Sequence, residues 1–203
     1  MTGFEPFGGE ALNASWEAAR KLEGWRRREF TAVARLLPCA YDASVEELIA
    51  AIETLRPAAI LMTGQAARRG VVCIERFAHN LDDATAPDNL GAVRQRVAIS
   101  EGAAERLEAA AAVSAIAGAI REARIPARVS RNAGGFVCNH LYFGALQYLR
   151  DKRSATPAVF VHLPATPRQT RRMAGVRPLA SANAARALRA AAAVMVDARP
   201  KTA

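Results

Sequence analysis

Residues 58–63 read Ala-Ala-Ile-Leu-Met-Thr, an apolar run without polar alternation that opens after Pro57 and closes at Gly64-Gln65. A strand with one face in water alternates apolar and polar residues; an unbroken run needs cover on both faces. The segment therefore predicts a central strand of a parallel sheet held between helices. A second run, Pro157-Ala158-Val159-Phe160-Val161-His162-Leu163-Pro164, is of the same kind and carries a histidine near its end. Helical periods separate these runs. Val45, Leu48, Ile49 and Ile52 recur at 3.6-residue spacing before the first, Leu141, Ala145 and Leu149 before the second, and residues 180–196 predict a last helix. Strand and helix alternate along the chain, which predicts a three-layer α/β/α sandwich with a mostly parallel, twisted sheet, in one domain over residues 1–203.

The remaining segments fit this frame. Asn13 or Ser15 caps a helix running to about Leu22, and Asp42 or Ser44 caps the next one. Residues 30–37 predict a strand. Residues 71–81 predict another, with Cys73, Glu75, Phe77 and His79 on one face. The alanine-rich residues 103–124 predict a helix, and residues 127–130 a short strand. Only Met1-Thr2 precedes the glycine-rich turn at residues 3–9, so the first strand reads as truncated. The natural chain is expected to start upstream with a further apolar run, and Phe4 and Phe7 are expected to be loosely held.

A net charge of +9 raises nucleic-acid binding as a reading, but the arginines are spread along the chain without interleaved aromatic platforms, which argues against it. No apolar run is long enough to cross a bilayer. The opening Met1-Thr2-Gly3-Phe4-Glu5-Pro6 lacks the basic and apolar regions of a secretory signal. Three cysteines, Cys39, Cys73 and Cys138, are sparse and odd in number, as reduced thiols in a cytoplasm would be. None forms a C-x-x-C pair, so neither a metal nor another cofactor is expected.

Chemistry concentrates at Asn132-Ala133-Gly134-Gly135-Phe136-Val137-Cys138-Asn139-His140-Leu141. Two glycines free the backbone, and Cys138 follows at the first turn of the helix through Leu149. Unpaired N–H groups there lower a thiol's pKa and favour the nucleophilic thiolate. The plainer alternative is that Cys138 is a small buried hydrophobe. A nucleophile needs a base and a group that orients the base. Among three histidines, His140 lies two residues from Cys138 on one helix, where side chains do not face each other, and His79 lies mid-strand. His162, at the end of a buried strand, ranks first. Glu75 is the best candidate to orient it.

The chain resembles the pyroglutamyl peptidase I family of cysteine exopeptidases. The resemblance rests on Thr2 to Gly9 (T-G-F-E-P-F-G-G) with Asn13 to Glu17, on Gly64-Gln65-Ala66, on Glu75 to Asn80 with Pro87-Asp88-Asn89, and on Asn132 to Leu141 with Val161 to Pro164. It implies an enzyme that releases N-terminal pyroglutamate from peptides through a Cys138–His162–Glu75 triad. It also implies that Phe4, Phe7 and Phe136 line a slot for the flat lactam ring, and that Asn13, Gln65 and Val137 adjoin the substrate. The implied assembly is a homo-oligomer, a tetramer. A weakly active or non-catalytic binding protein of the same fold, or a broader thiol amidase or esterase, remain the alternatives.

Overall fold

In the computed structural model the two unbroken apolar runs become adjacent central strands. The structure describes residues 1–171 and 173–198, so residues 199–203 of the expected domain lie outside the described residues. In chain order the elements are β1 (Thr2–Phe4), α1 (Ala14–Ala19, prolonged by a 3-10 turn, Arg20–Leu22), β2 (Arg26–Arg27), β3 (Phe30–Thr31), β4 (Arg35–Leu37), α2 (Tyr41–Leu55) and β5 (Ile60–Gln65). There follow β6 (Val72–Glu75), β7 (Phe77–His79), β8 (Arg106–Glu108), α3 (Val113–Glu122), β9 (Ala127–Ser130), α4 (Val137–Asp151), β10 (Ala158–Leu163), α5 (Pro167–Thr170) and α6 (Ser181–Asp197).

The main sheet has the order β5-β10-β6-β9. β10 runs parallel to β5 and antiparallel to β6, and β6 runs parallel to β9. β1 pairs in parallel with β4, and Thr63 Oγ1 donates to Thr2 O at 2.6 Å, tying this pair to β5. Both faces of the sheet are covered, as the unbroken runs require. Leu61, Val159, Val161 and Leu163 pack with residues of α1, α3 and α6. Ile60, Met62, Ala158 and Phe160 pack with residues of α2 and α4 on the other face. Each fully buried large side chain in these layers contributes about 1.5–3 kcal/mol. The three-layer α/β sandwich with a mostly parallel sheet is the observed architecture.

Several local expectations are corrected. β1 does form: its three residues are buried and Phe4 is only 2% exposed, so Phe4 is not loosely held. The strand expected over residues 30–37 divides into β3, which forms a hairpin with β2, and β4, which joins β1. The strand expected over residues 71–81 breaks at Arg76. The Arg76 N–H donates to Ser130 O and its carbonyl accepts from Ala109 N–H, so β7 leaves the main sheet and pairs with β8. The helix expected over residues 103–124 starts only at Val113. Residues 106–108 alternate exposed, buried, exposed; Leu107 enters the α4-side core, and this pairing outweighs alanine's helix preference. Finally, α2 begins at Tyr41, with Asp42 and Ser44 inside it, and its own N-cap makes no side-chain bond. Asp88 caps it from afar, its Oδ2 accepting from Tyr41 N–H at 3.0 Å.

Candidate active site

Cys138 is the second residue of α4, and the Asn132–Phe136 loop delivers it to the sheet. Gly134 takes a positive φ of 92°, and Gly135 lies so near Asp83 that a Cβ would come within 2.5 Å of its carbonyl oxygen. The two glycines thus allow the turn and the close approach, in that order. Gly64, at the penultimate position of β5, receives the thiol: a Cβ added there would lie 2.7 Å from Cys138 Sγ. His162 is the register partner of Gly64 in the parallel β5–β10 pair. Registered residues of neighbouring strands point to the same face, so the imidazole lies on the same α4 side of the sheet that receives the thiol at Gly64.

Behind His162 lies Glu75, the last residue of β6. Its Oε1 is 2.8 Å from His162 Nδ1, with His162 4% exposed and Glu75 fully buried. A carboxylate only accepts, so Nδ1 carries the proton and Nε2 keeps its lone pair. The other histidines are engaged elsewhere. His140 Nδ1 lies 2.8 Å from Asp82 Oδ2, and His79 Nε2 lies 3.0 Å from Arg131 O. Glu75 and His79 do not sit on one continuous strand.

The electrostatics differ from expectation at the thiol. Burial pushes Cys138 up from its ordinary value of 9.0, with Cys39 and Glu75 adding to the rise; Arg69 and a backbone hydrogen bond act against it without prevailing. The expected low-pKa thiol is therefore corrected: desolvation outweighs the helix N-terminus. His162 is lowered from 6.5, first by burial, although Glu75 pulls it upward. At rest the pair is a neutral thiol beside a neutral imidazole.

Phe7 and Phe136, both half-buried, face each other with ring centroids 5.5 Å apart, and Tyr41 meets Phe136 edge-on at 5.6 Å. Phe4 stands deeper, against Phe160 at 6.5 Å, within the core. Val137 is fully buried. Its N–H and that of Cys138 belong to the first turn of α4 and have no acceptor inside the helix. Asn13 caps α1: its Oδ1 accepts from Ser15 N–H and Oγ, and its Nδ2 donates to Glu5 O. Gln65 Oε1 accepts from Ala14 N–H at 2.7 Å and from Gln169 Nε2 at 3.1 Å.

Sequence reasoning missed several residues. Arg69 donates through Nη1 to Glu75 Oε1 and through Nη2 to Asn132 O at 2.8 Å. Tyr142, one turn after Cys138, donates to Glu75 O at 3.0 Å. Tyr41 completes the aromatic wall and Gln169 braces Gln65. The first signal for Arg69 was its place six residues before a buried carboxylate, which must find a cation.

A family model for pyroglutamyl peptidase matches residues 1–198. A pyrrolidone-carboxylate peptidase of Chromobacterium violaceum is 42% identical over 194 residues, covering 94% of this chain and 89% of the relative. One from Cupriavidus necator is 38% identical over 200 residues, covering 98% and 93%. The fold is similar to the crystal structure of pyroglutamyl peptidase I from Bacillus amyloliquefaciens, with TM-score 0.93, 34% identity and coverage of 96% and 92%. A mutant pyrrolidone carboxyl peptidase from Pyrococcus furiosus gives TM-score 0.93 at 28% identity, covering 98% of each chain. Sequence and fold thus agree over nearly the whole length, and the chain belongs to the pyroglutamyl peptidase family of cysteine peptidases.

Proposed function

We propose that this chain hydrolyses the amide bond after an N-terminal pyroglutamyl residue of peptides, using Cys138, His162 and Glu75 within one catalytic domain. The observation that carries the reading is the buried Glu75–His162 pair on the sheet face where Cys138 Sγ abuts Gly64, beside the half-buried Phe7 and Phe136 rings.

The lactam ring lies against Phe7 and Phe136, backed by Tyr41, with Phe4 shaping the floor. Gln65 and Asn13 hold the loop and helix that border it. A cyclised N-terminus has no ammonium group, so an apolar slot suits it better than an acidic one. As Cys138 Sγ attacks the scissile carbonyl, His162 Nε2 takes the thiol proton; both groups start neutral, so general-base catalysis replaces a preformed ion pair. The first-turn N–H groups of Val137 and Cys138 receive the oxyanion, a contact of the kind worth about 3 kcal/mol per donor. The tetrahedral intermediate collapses to a thioester as His162 returns the proton to the leaving amine. Water, deprotonated by His162, then releases pyroglutamate and restores the thiol.

Three unpaired thiols favour a reducing compartment, the cytoplasm. No helix among the described residues is long and apolar enough to cross a membrane. The family resemblance implies a tetramer. Leu81, Leu90, Val93 and Val97, each exposed within residues 81–97, support a homo-oligomer, with Leu90 78% exposed. Light scattering tests the assembly. A fluorogenic pyroglutamyl amide, run beside an alanyl amide with wild type and Cys138→Ser, tests the activity. Turnover of the pyroglutamyl amide alone, lost in the variant, is expected; equal turnover of both amides would favour a broader thiol amidase, and none by the wild type would sink the reading.

A further inference from the structure

We propose that Arg69 is the positioning residue of this site, fixing the Glu75 carboxylate and the loop that carries Cys138 in one arrangement. The proposal rests on the triad reading above. Arg69 lies in the connection between β5 and β6, where its N–H closes a turn on Ala66 O at 2.9 Å. One arm of its guanidinium reaches Glu75 Oε1, the oxygen that also receives His162 Nδ1; the other reaches Asn132 O at 2.8 Å. The planar fork spans two acceptors on different segments, which the single ammonium of a lysine cannot do in a fixed geometry.

Both acceptors need this help. Glu75 is fully buried, and its Oε2 has no hydrogen-bond partner among the described residues. A buried carboxylate without a cation is a costly unpaired charge, and Glu75 freed of Arg69 holds the imidazole less firmly. The Asn132–Phe136 loop has no regular structure. Asp83 N–H donates to Gly135 O at 2.8 Å and secures its far end, while at the near end Asn132 O accepts from Arg69 at 2.8 Å and more weakly from Ser130 Oγ at 3.3 Å. The arginine side chain is 27% exposed, closing the site rather than standing free in solvent. It therefore couples the orienting carboxylate to the nucleophile's loop, two parts that the chain places more than fifty residues apart.

An ion pair that only stabilised the fold would change melting and leave the chemistry alone, so the test must separate these. The charged and titratable groups facing His162 are Glu75 and Arg69, with Cys73 its register partner on β6 and itself in contact with Arg69; those facing Cys138 are Cys39, Glu75 and Arg69. Arg69 lowers both His162 and Cys138, so its loss moves both upward. In the full chain, Arg69→Met should lower kcat for a pyroglutamyl coumarin amide by about ten- to a hundredfold, the range of one charge-assisted hydrogen bond, while KM stays within about threefold. The acid limb of kcat/KM should move to higher pH. Arg69→Lys should recover only part of the loss. Combined with Glu75→Gln, Arg69→Met should cost clearly less than it does in the wild type, because the Glu75 contact is then already lost and only the Asn132 contact remains to lose.

Wild-type kcat in Arg69→Met with only a lower Tm, or losses that multiply in the double variant, would overturn the proposal. If Arg69→Met does not fold, Arg69→Lys carries the test, and unchanged kcat there overturns it. Iodoacetamide labelling of Cys138 against pH needs no substrate: the profile should shift upward in Arg69→Met. A wild type that ignores the amide, with that shift present, would fail the substrate assignment and spare Arg69; an unshifted profile would fail Arg69 itself.

Discussion

Gly64→Ala adds one methyl group at the narrowest point of the site. The new Cβ would stand 2.7 Å from Cys138 Sγ and 2.8 and 3.0 Å from two carbons of the Phe160 ring. Ordinary contacts between such atoms begin near 3.5–4 Å, so about 1 Å must be found on each side. Phe160 cannot yield it cheaply: its ring is hemmed in by Phe4 at 6.5 Å, Tyr142 at 5.7 Å and His162 at 4.9 Å. Moving it moves the base. Moving the thiol instead shifts the first turn of α4, with its unpaired Val137 and Cys138 N–H groups. Gly64 does not have a positive φ, so backbone strain does not confuse the result. Overpacking of this kind costs about 1–3 kcal/mol, and each kcal/mol lowers Tm by about 2–4 °C in a domain of this size. A displacement of about 1 Å at the reacting atoms costs about a hundredfold in rate. Gly64→Ala should therefore lose about two orders of magnitude in kcat/KM and melt several degrees lower, by fluorogenic assay and calorimetry. Gly118→Ala, in α3 where an added Cβ meets nothing within 4 Å, is the control and should gain about 0.5–1 kcal/mol. A Gly64→Ala enzyme within threefold of wild type, melting alike, would refute the placement of the thiol against β5.

His162→Ala should lower kcat by about a hundred- to ten-thousandfold, whereas His79→Ala should leave it nearly intact; equal losses would mean the wrong histidine was chosen. Phe7→Ala or Phe136→Ala should each raise KM for pyroglutamyl amides roughly fivefold, about 1 kcal/mol for a half-buried ring, and an unchanged KM would remove the aromatic slot. Iodoacetamide should label Cys138 before the buried Cys39 and Cys73, at a rate still climbing above pH 9.0; early labelling of Cys73 with loss of activity would contradict this. His162 titrates below 6.5 when folded, so the acid limb of kcat/KM should lie below that value. The unfolded chain takes up the proton first as pH falls from 6.5, so stability should decline from there toward the folded-state pKa, a slope that His162→Ala should lessen in pH-dependent calorimetry.

What the sequence disclosed depended on how local the cause was. β5 and β10 were legible because an unbroken apolar run has few other solutions. Cys138, His162 and Glu75 were legible as residue types in telling positions: a helix start, a strand end and a carboxylate among apolar neighbours. The break at Arg76 was not, because it depends on Ser130 and Ala109 from distant segments claiming its backbone. Residues 103–112 misled because alanine favours helix only until pairing with β7 offers Leu107 a place in the core. The cap of α2 was invisible for a similar reason: Asp88 lies 47 residues from Tyr41. Arg69 reads as an ordinary solvated loop arginine until register brings Glu75 beneath it. The thiol's electrostatics also escaped, since a helix N-terminus is visible in sequence and burial is not.

The position of β10 gives the Glu75–His162 pair a second task. Its residues are buried on both faces, so hydrophobicity alone barely distinguishes the observed alignment from one shifted by a single residue. Such a shift would turn His162 toward α1, α3 and α6 and strand Glu75 without its imidazole. Leaving a buried carboxylate short of a hydrogen bond typically costs about 1–3 kcal/mol, a sizeable share of a domain's stability. The Glu75–His162 pair thus acts as a keying device for strand alignment during folding. Replacing both members with apolar residues removes the penalty for misalignment along with the chemistry, so an inactive double variant can be more stable yet less uniquely folded than the enzyme.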